Sequence, residues 1–166
     1  LFAQLWLALA GQRRRYGWLP YATTTYDVVT TTLVLALLHL SDPVAPFNSM
    51  VVWCFYLFGI GMTALRNDGR LTLYAGGLAI VLYSALIAIL LAQADSPEQL
   101  VSVDYGTVSI GSQIERLVLM LVMTILTATI VYRTQRLIES SGSDGLTGLP
   151  NRAWLLQRMP RILESV

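Results

Sequence analysis

Asp27 is a carboxylate within an otherwise apolar stretch, and it is the residue of this chain best placed to do chemistry. Helical spacing puts four threonines on its face of the helix, while the two remaining threonines of the run lie off it. The four are Thr23, Thr24, Thr30 and Thr31. A carboxylate inside a bilayer costs about 3 kcal/mol on insertion scales, so Asp27 should point into a bundle, be paired or be protonated. Such a face could recognise a ligand or sense protons. The alternative is that the threonines bond to their own helix and Asp27 makes an interhelical hydrogen bond.

Two arginines frame a short polar turn later in the chain. Arg66 and Arg70 enclose Asn67, Asp68 and Gly69, a composition typical of a glycine turn with basic anchors on the cytoplasmic side of a membrane. A more specific hypothesis is that Arg66 or Arg70 reaches Asp27 and neutralises it.

Aromatic residues are a further part of the prediction. Trp53 and Tyr83 could line a pocket, although aromatic residues in a bundle more often serve packing.

The composition indicates that helices must position these groups within a membrane. Hydrophobic residues make up 55% of the 166 residues and charged residues only 13%, against about 25% charged in soluble domains. A helix needs roughly 20 apolar residues to span a bilayer. Four runs are predicted to do so: Trp18 to Leu40, Ser49 to Leu65, Leu71 to Ala92 and Ile114 to Tyr132. Leu1 to Ala10 has half that length and reads as part of a further helix. We therefore expect an all-α, polytopic transmembrane bundle with five helices visible and six in the parent protein.

Charge placement predicts the orientation of this bundle. The loops rich in arginine are predicted to be cytoplasmic, and they hold Arg13, Arg14, Arg15, Arg66, Arg70, Arg133 and Arg136. The intervening loops are acidic and are predicted to lie outside, with Asp42 in one and Asp95, Glu98 and Asp104 in the other. Arg116, which lies with Glu115 at the outer start of the last helix, is the one exception to this pattern.

Other counts limit the possible chemistry. The net charge of +1 gives no argument for nucleic-acid binding, and single copies of Cys54 and His39 exclude disulfides and clusters of either residue. We expect His39 to be solvated at the outer membrane interface.

Small residues recur within two of the predicted helices, where they favour close helix packing. They are Gly59, Gly61, Ala64, Ala75, Gly76, Gly77 and Ala79.

The C-terminal segment carries the most specific motif. Asp144 to Arg152 reads DGLTGLPNR and resembles the opening signature of GGDEF domains, D-x-L-T-G-L-x-N-R, at every fixed position. The resemblance implies an α/β cyclase domain that begins at residue 144. We expect a membrane regulatory bundle with its stalk helix over residues 1–138, a polar linker over 139–143, and a truncated GGDEF domain over 144–166. The chain ends before the residues that perform the family's chemistry, so no catalytic residue is named.

The resemblance also implies a biochemical setting. Diguanylate cyclases of this family join two GTP molecules into cyclic di-GMP with magnesium, and two domains must face each other. The expectation is therefore a multi-pass homodimer in a bacterial cytoplasmic membrane, with its C-terminal domain in the cytoplasm. No cofactor is expected in this chain itself. Membrane lipid or an apolar or amphiphilic small molecule is the expected signal. The alternatives are the receptor region of a protein with a degenerate GGDEF domain, a phosphodiesterase or an effector, and, less favourably, a transporter.

The last predicted helix runs from Ile114 to Ile138 and would form the stalk of the dimer. Two overlapping stripes approximate a heptad seam, and the sequence does not choose between them. One is Met120, Met123, Thr127, Ile130, Thr134 and Leu137, and the other is Leu117, Leu121, Thr124, Ala128, Val131 and Ile138.

Overall fold

The computed structural model describes residues 17–94 and 100–140, with the backbone alone for residues 138–140. This part of the chain is mostly helical, as the sequence predicts. The helices are α1 (Leu19–Leu38), α2 (Ala45–Asn48), α3 (Met50–Met62), α4 (Gly69–Gln93) and α5 (Ile110–Ser140), and a 3₁₀ helix over Thr63–Arg66 continues α3. Strands β1 (Val101–Ser102) and β2 (Gly106–Thr107) pair antiparallel. The predicted half-helix Leu1 to Ala10, the Arg13 to Arg15 loop and the GGDEF-like segment lie outside the described residues.

The turn between α3 and α4 is built differently from the glycine turn that the sequence suggests. Asn67 takes the left-handed conformation, with φ of 51°, which asparagine tolerates better than most residues. The Asp68 carboxylate then caps α4 by accepting hydrogen bonds from the backbone N–H groups of Arg70 (2.9 Å) and Leu71 (3.3 Å). Gly69 is the first helical residue instead. Its missing Cβ makes room for the Tyr132 ring, which an added Cβ would approach within 2.6 Å.

The long helices pack against one another along their lengths. The most extensive contact joins α4 to α5, and α1 packs against both α3 and α4. Gly76 allows the close approach of α4 and α5, because an added Cβ would lie 2.7 Å from the Cβ of Thr124 and closer still to its other atoms. By contrast, Gly59 and Gly77 have open space where a Cβ would be. Close packing therefore explains only some of the small residues that the sequence groups together.

Two of the described helices are long and apolar enough to cross a membrane, namely Gly69–Gln93 and the stretch Ile110–Leu137. The other two predicted spans are weaker. Met50–Arg66 is a shorter apolar helix of fewer than 18 residues. Helix α1 has 20 residues, but its threonines and Asp27 make its first half polar. Sequence hydropathy thus favours four spans, whereas two of the described helices are both long enough and apolar enough to cross a membrane.

The two acidic loops meet at one end of the helices. Asp42 accepts hydrogen bonds from the Ser102 hydroxyl and from the Val44 backbone N–H, the latter at 2.7 Å. The Ser102 hydrogen bond, followed by that of Val44, holds the pKa of the Asp42 carboxyl below its usual value. The Asn48 amide donates to the carbonyl oxygens of Tyr105 (2.8 Å) and Thr107 (3.0 Å). The β-hairpin is therefore fastened to the loop between α1 and α3.

Candidate functional site

The polar face of α1 contacts the α3–α4 turn through Arg66. The Arg66 guanidinium donates hydrogen bonds to the Thr23 hydroxyl (2.8 Å) and the Pro20 carbonyl oxygen (2.9 Å). Thr23 also donates to backbone carbonyls of its own helix. Of the two arginines proposed to reach Asp27, Arg66 contacts α1 at Thr23 and Pro20 instead. The side chains of Arg66 and Arg70 are both exposed. The structure therefore joins Thr23 and Arg66 into one polar contact.

Asp27 lies one to two turns further along α1, and its side chain is exposed. The Arg66 charge acts on its carboxylate, yet within residues 17–94 and 100–140 the two side chains form no close ion pair. Thr31 is half-buried and donates to the Asp27 carbonyl oxygen at 2.9 Å. Thr24 is buried and Thr30 is exposed. Part of the predicted face therefore lies inside the bundle, and part of it lies on the outer surface.

The two threonines that fall off the predicted face also bond to other helices. The hydroxyl of Thr25 lies 2.7 Å from that of Tyr74 on α4, and the hydroxyl of Thr32 lies 2.8 Å from that of Tyr56 on α3. Their spacing of one heptad, together with tyrosines on the following helices, is the signal that could have indicated these pairs.

The last predicted site residue, Trp53, lies elsewhere. Helix α3 separates it from Arg66 by roughly 20 Å at about 1.5 Å per residue. Trp53 is 2% exposed, and the Arg116 guanidinium sits 5.4 Å from the centre of its ring. The structure therefore groups Trp53 with Arg116 at the hairpin end of the bundle rather than with Asp27.

A buried polar cluster surrounds Arg116, and we call it the Arg116 cluster. It consists of Trp53, Tyr83, Gln113 and Arg116. The Tyr83 hydroxyl donates to the Gln113 side-chain oxygen at 2.6 Å, and Arg116 lies 3.5 Å from the same hydroxyl. The Gln113 amide donates in turn to the Phe47 carbonyl oxygen at 3.2 Å. The cluster thereby joins α3, α4 and α5.

The cluster continues towards α1 through an aromatic pair. The Tyr56 and Tyr83 rings meet edge to face, with centres 5.8 Å apart, and Tyr56 holds Thr32 as described. All four long helices thus share one polar and aromatic layer. Sequence analysis noted Arg116 only as an exception to the charge pattern and did not identify Gln113.

The opposite end of α5 contacts the same turn that Arg66 occupies. The Gln135 side-chain amide donates to the carbonyl oxygen of Asn67 at 2.6 Å, and Tyr132 packs over Gly69. The turn is therefore held by α1 through Arg66 and by α5 through Gln135. We call this contact the turn junction; it lies roughly 28 Å along α5 from Arg116 at about 1.5 Å per residue.

A cavity of about 210 Å³ lies near the hairpin, bounded by His39, Phe47 and Leu90 among others. The His39 Nδ1 atom is buried and has no hydrogen-bond partner in the described part of the chain. His39 is therefore a half-buried wall of this cavity rather than the fully solvated interfacial residue that the sequence suggests.

No group of three or more His, Cys, Asp or Glu side chains within residues 17–94 and 100–140 is arranged to hold a metal ion. The chain matches no known protein-family model, no curated protein and no solved structure.

Proposed function

We propose that this chain is the membrane-embedded sensor and dimerisation module of a diguanylate cyclase. The observation that carries the proposal is the unbroken helix α5, 31 residues from Ile110 to Ser140, which ends four residues before Asp144. Such a helix measures roughly 46 Å at about 1.5 Å per residue, whereas the hydrocarbon core is about 30 Å thick. Its final turns therefore extend beyond the membrane and lead directly into the GGDEF-like motif.

The outer surface of the bundle supports a membrane location. Large apolar side chains remain exposed along the outward faces of the helices, among them Phe55 (57%), Phe58 (63%) and Val81 (62%). Soluble proteins seldom expose apolar patches larger than a few hundred Å² unless these bind a partner or a membrane. Arg133 and Arg136 are exposed near the end of α5, which suits a cytoplasmic exit by the positive-inside tendency. The proposed polytopic bundle uses all four long helices.

The turn junction supplies a physical route from the bundle to the stalk. A change in the position of α1 would be transmitted through Arg66 to the turn, and from Asn67 to Gln135 on α5. A signal would act by favouring one of two arrangements, which requires that it bind them with different affinity. The altered stalk would then change how often two cyclase domains, each with GTP and magnesium, meet productively in a homodimer.

The proposed dimer seam on α5 differs from both stripes that the sequence suggests. Met120 and Thr127 from the first stripe, and Thr124 and Val131 from the second, are buried within the chain. Part of each stripe is therefore buried against α3 and α4. The face of α5 that points away from these two helices, and its last turns, are exposed and can contact a second copy.

The test uses the full-length protein in lipid nanodiscs with GTP and magnesium, and measures cyclic di-GMP. We expect the wild type to form product. Gln135→Ala removes one hydrogen bond, about 1 kcal/mol, and should change the rate by about fivefold. Arg136→Ala is the matched control, since it alters the neighbouring exposed residue without touching the turn. Asp27→Asn tests the sensing role predicted for the polar face.

The outcomes separate the parts of this proposal. Absence of product from any preparation, including the detergent-extracted wild type, would reject the cyclase. Product formation that is equal in the wild type and in Gln135→Ala would reject the turn junction as the route, while the cyclase assignment would stand.

A further inference from the structure

Arg116 is a buried cation without a carboxylate. It is 9% exposed, and its contacts are the Trp53 ring and a long hydrogen bond to the Tyr83 hydroxyl. Within the described ranges no Asp or Glu forms an ion pair with it. Burial of an uncompensated charge is expensive, and a cation–π contact offsets only about 2 kcal/mol when desolvated. The guanidinium is therefore suited to an anion.

One donor of the same cluster has no acceptor. The indole Nε1 of Trp53 is buried and makes no hydrogen bond within the described residues. In the same part of the chain Arg116 has one long bond to the Tyr83 hydroxyl, which itself donates to Gln113, and the Gln113 amide donates to a backbone carbonyl. Buried polar groups in native proteins nearly always have partners. An orphaned indole N–H beside a buried cation without a carboxylate indicates a site for an acceptor.

Two members of the Arg116 cluster, Tyr83 and Gln113, line one end of a groove with a volume of about 180 Å³. Arg116 contacts this end through the Tyr83 hydroxyl. The rest of the wall consists of Ser84 and of the aliphatic side chains of Ile87, Ala88, Leu91 and Leu117. An amphiphile could thus place a polar head beside the Arg116 cluster and a hydrocarbon chain along the wall.

We propose that the Arg116 cluster and this groove bind a singly charged amphiphile, an alkyl chain that carries one carboxylate. The cation–π contact with Trp53 and the hydrogen bond to Tyr83 leave other N–H groups of the guanidinium for a carboxylate, which arginine binds in a two-pronged geometry. One buried positive charge balances one negative charge. A phosphate monoester would bring a second charge that no other cation of the cluster offsets.

If the ligand acts as the signal of the cyclase, that role rests on the proposed function. The binding of the ligand does not. Binding itself is measured without GTP or any cyclase activity. A failure to bind and a failure to make cyclic di-GMP are therefore separate results.

The experiment measures equilibrium binding of tritium-labelled decanoate to the chain in phosphatidylcholine nanodiscs, with empty nanodiscs subtracted. Decanol and decyl phosphate are competitors with the same chain and a different head. We expect Arg116→Gln to weaken decanoate binding at least about tenfold, the loss expected for a hydrogen-bonded charge pair. The affinity of decanol for the same variant, measured by competition, should change less than about twofold, because the groove is intact.

Two further variants distinguish a loss of the binding site from a loss of the fold. Arg136→Gln is the matched control, because it removes an exposed arginine from the same helix and should leave decanoate binding unchanged. Ala88→Phe fills the groove from its exposed side and leaves Arg116 in place, so it should weaken decanoate and decanol together. Unchanged decanoate binding in both Arg116→Gln and Ala88→Phe would overturn the proposal. Decanol or decyl phosphate binding the wild type more tightly than decanoate would overturn it as well.

Discussion

Replacement of Gly76 by alanine tests the closest contact between α4 and α5. The added Cβ would lie 2.7 Å from the Cβ of Thr124 and closer to its Oγ1 and Cγ2 atoms. Thr124 cannot easily turn away, because its β-branched side chain is stiff, buried at 4% exposure and bonded to the Met120 carbonyl oxygen. The two helices must therefore move apart.

The size of the effect follows from two opposing contributions. Overpacking costs about 1 to 3 kcal/mol, and the upper part of this range applies because the obstacle is stiff. Alanine also favours helix over glycine by about 1 kcal/mol. We expect Gly76→Ala to lower the free energy of unfolding by about 1 to 2 kcal/mol.

Gly77 offers a matched control one residue further on. Its Cβ position is open and the residue is exposed, so Gly77→Ala retains only the gain in helix propensity. It should leave stability unchanged or raise it by up to about 1 kcal/mol. Adding Thr124→Ala to Gly76→Ala removes the Oγ1 and Cγ2 contacts and should restore part of the loss.

Unfolding by titration with sodium dodecyl sulfate in mixed micelles, followed by circular dichroism, measures all four proteins under the same conditions. We expect about 2 kcal/mol between Gly76→Ala and Gly77→Ala. Equal stability of these two variants would refute the packing of α4 against α5 at this point.

Further predictions concern the second half of α1 and the loop that follows it. The pKa of Asp42 is lowered in the folded protein, so its bonds to Ser102 and the backbone stabilise the loop fully above the ordinary value of 3.8. This stabilisation should be lost as the pH falls through the lower folded-state pKa, and hydrogen exchange of the hairpin amides should then accelerate in the wild type but show no such acid step in Asp42→Asn. Thr32→Val leaves the Tyr56 hydroxyl without its partner and should cost about 1 kcal/mol of unfolding free energy. Thr31→Val should change it by less than about 0.5 kcal/mol, because the Thr31 hydroxyl bonds only to its own helix; equal losses in the same micelle titration would contradict the assigned interhelical bond.

Hydropathy and turn composition predict the helices well, because both depend on local sequence. The ends of α1 and α4 fall within two residues of the predicted runs. Helix α5 begins earlier and ends later than its apolar run, since polar residues such as Gln113 and Gln135 are compatible with helix outside the apolar stretch. The short helix α2 and the β-hairpin carry no periodicity strong enough to indicate them.

The candidate sites are harder to predict, because side-chain partners depend on how helices are rotated against one another. Helical spacing groups Asp27 with four threonines, but it cannot say which of these side chains turn inward, and the structure buries Thr24 while it leaves Asp27 and Thr30 exposed. Trp53 is equally compatible with a place beside Asp27 or beside Arg116 until the direction of α3 is known. Arg116 looks like an exception to a charge rule, and only the packing of Trp53 and Tyr83 around it reveals a buried cation.

The contact between Gly76 and Thr124 limits the motions that α5 can make. Axial sliding by even one residue, about 1.5 Å, would drive Thr124 into the neighbouring side chains of α4 and break the Gln135 bond to Asn67. Tilting of α5 about this contact is the less obstructed movement, so the contact between Gly76 and Thr124 is a pivot. Along α5, Arg116 lies roughly 12 Å from this pivot on one side and Gln135 roughly 17 Å from it on the other. A small sideways displacement of α5 at Arg116 therefore becomes a somewhat larger displacement in the opposite direction where the helix leaves the bundle.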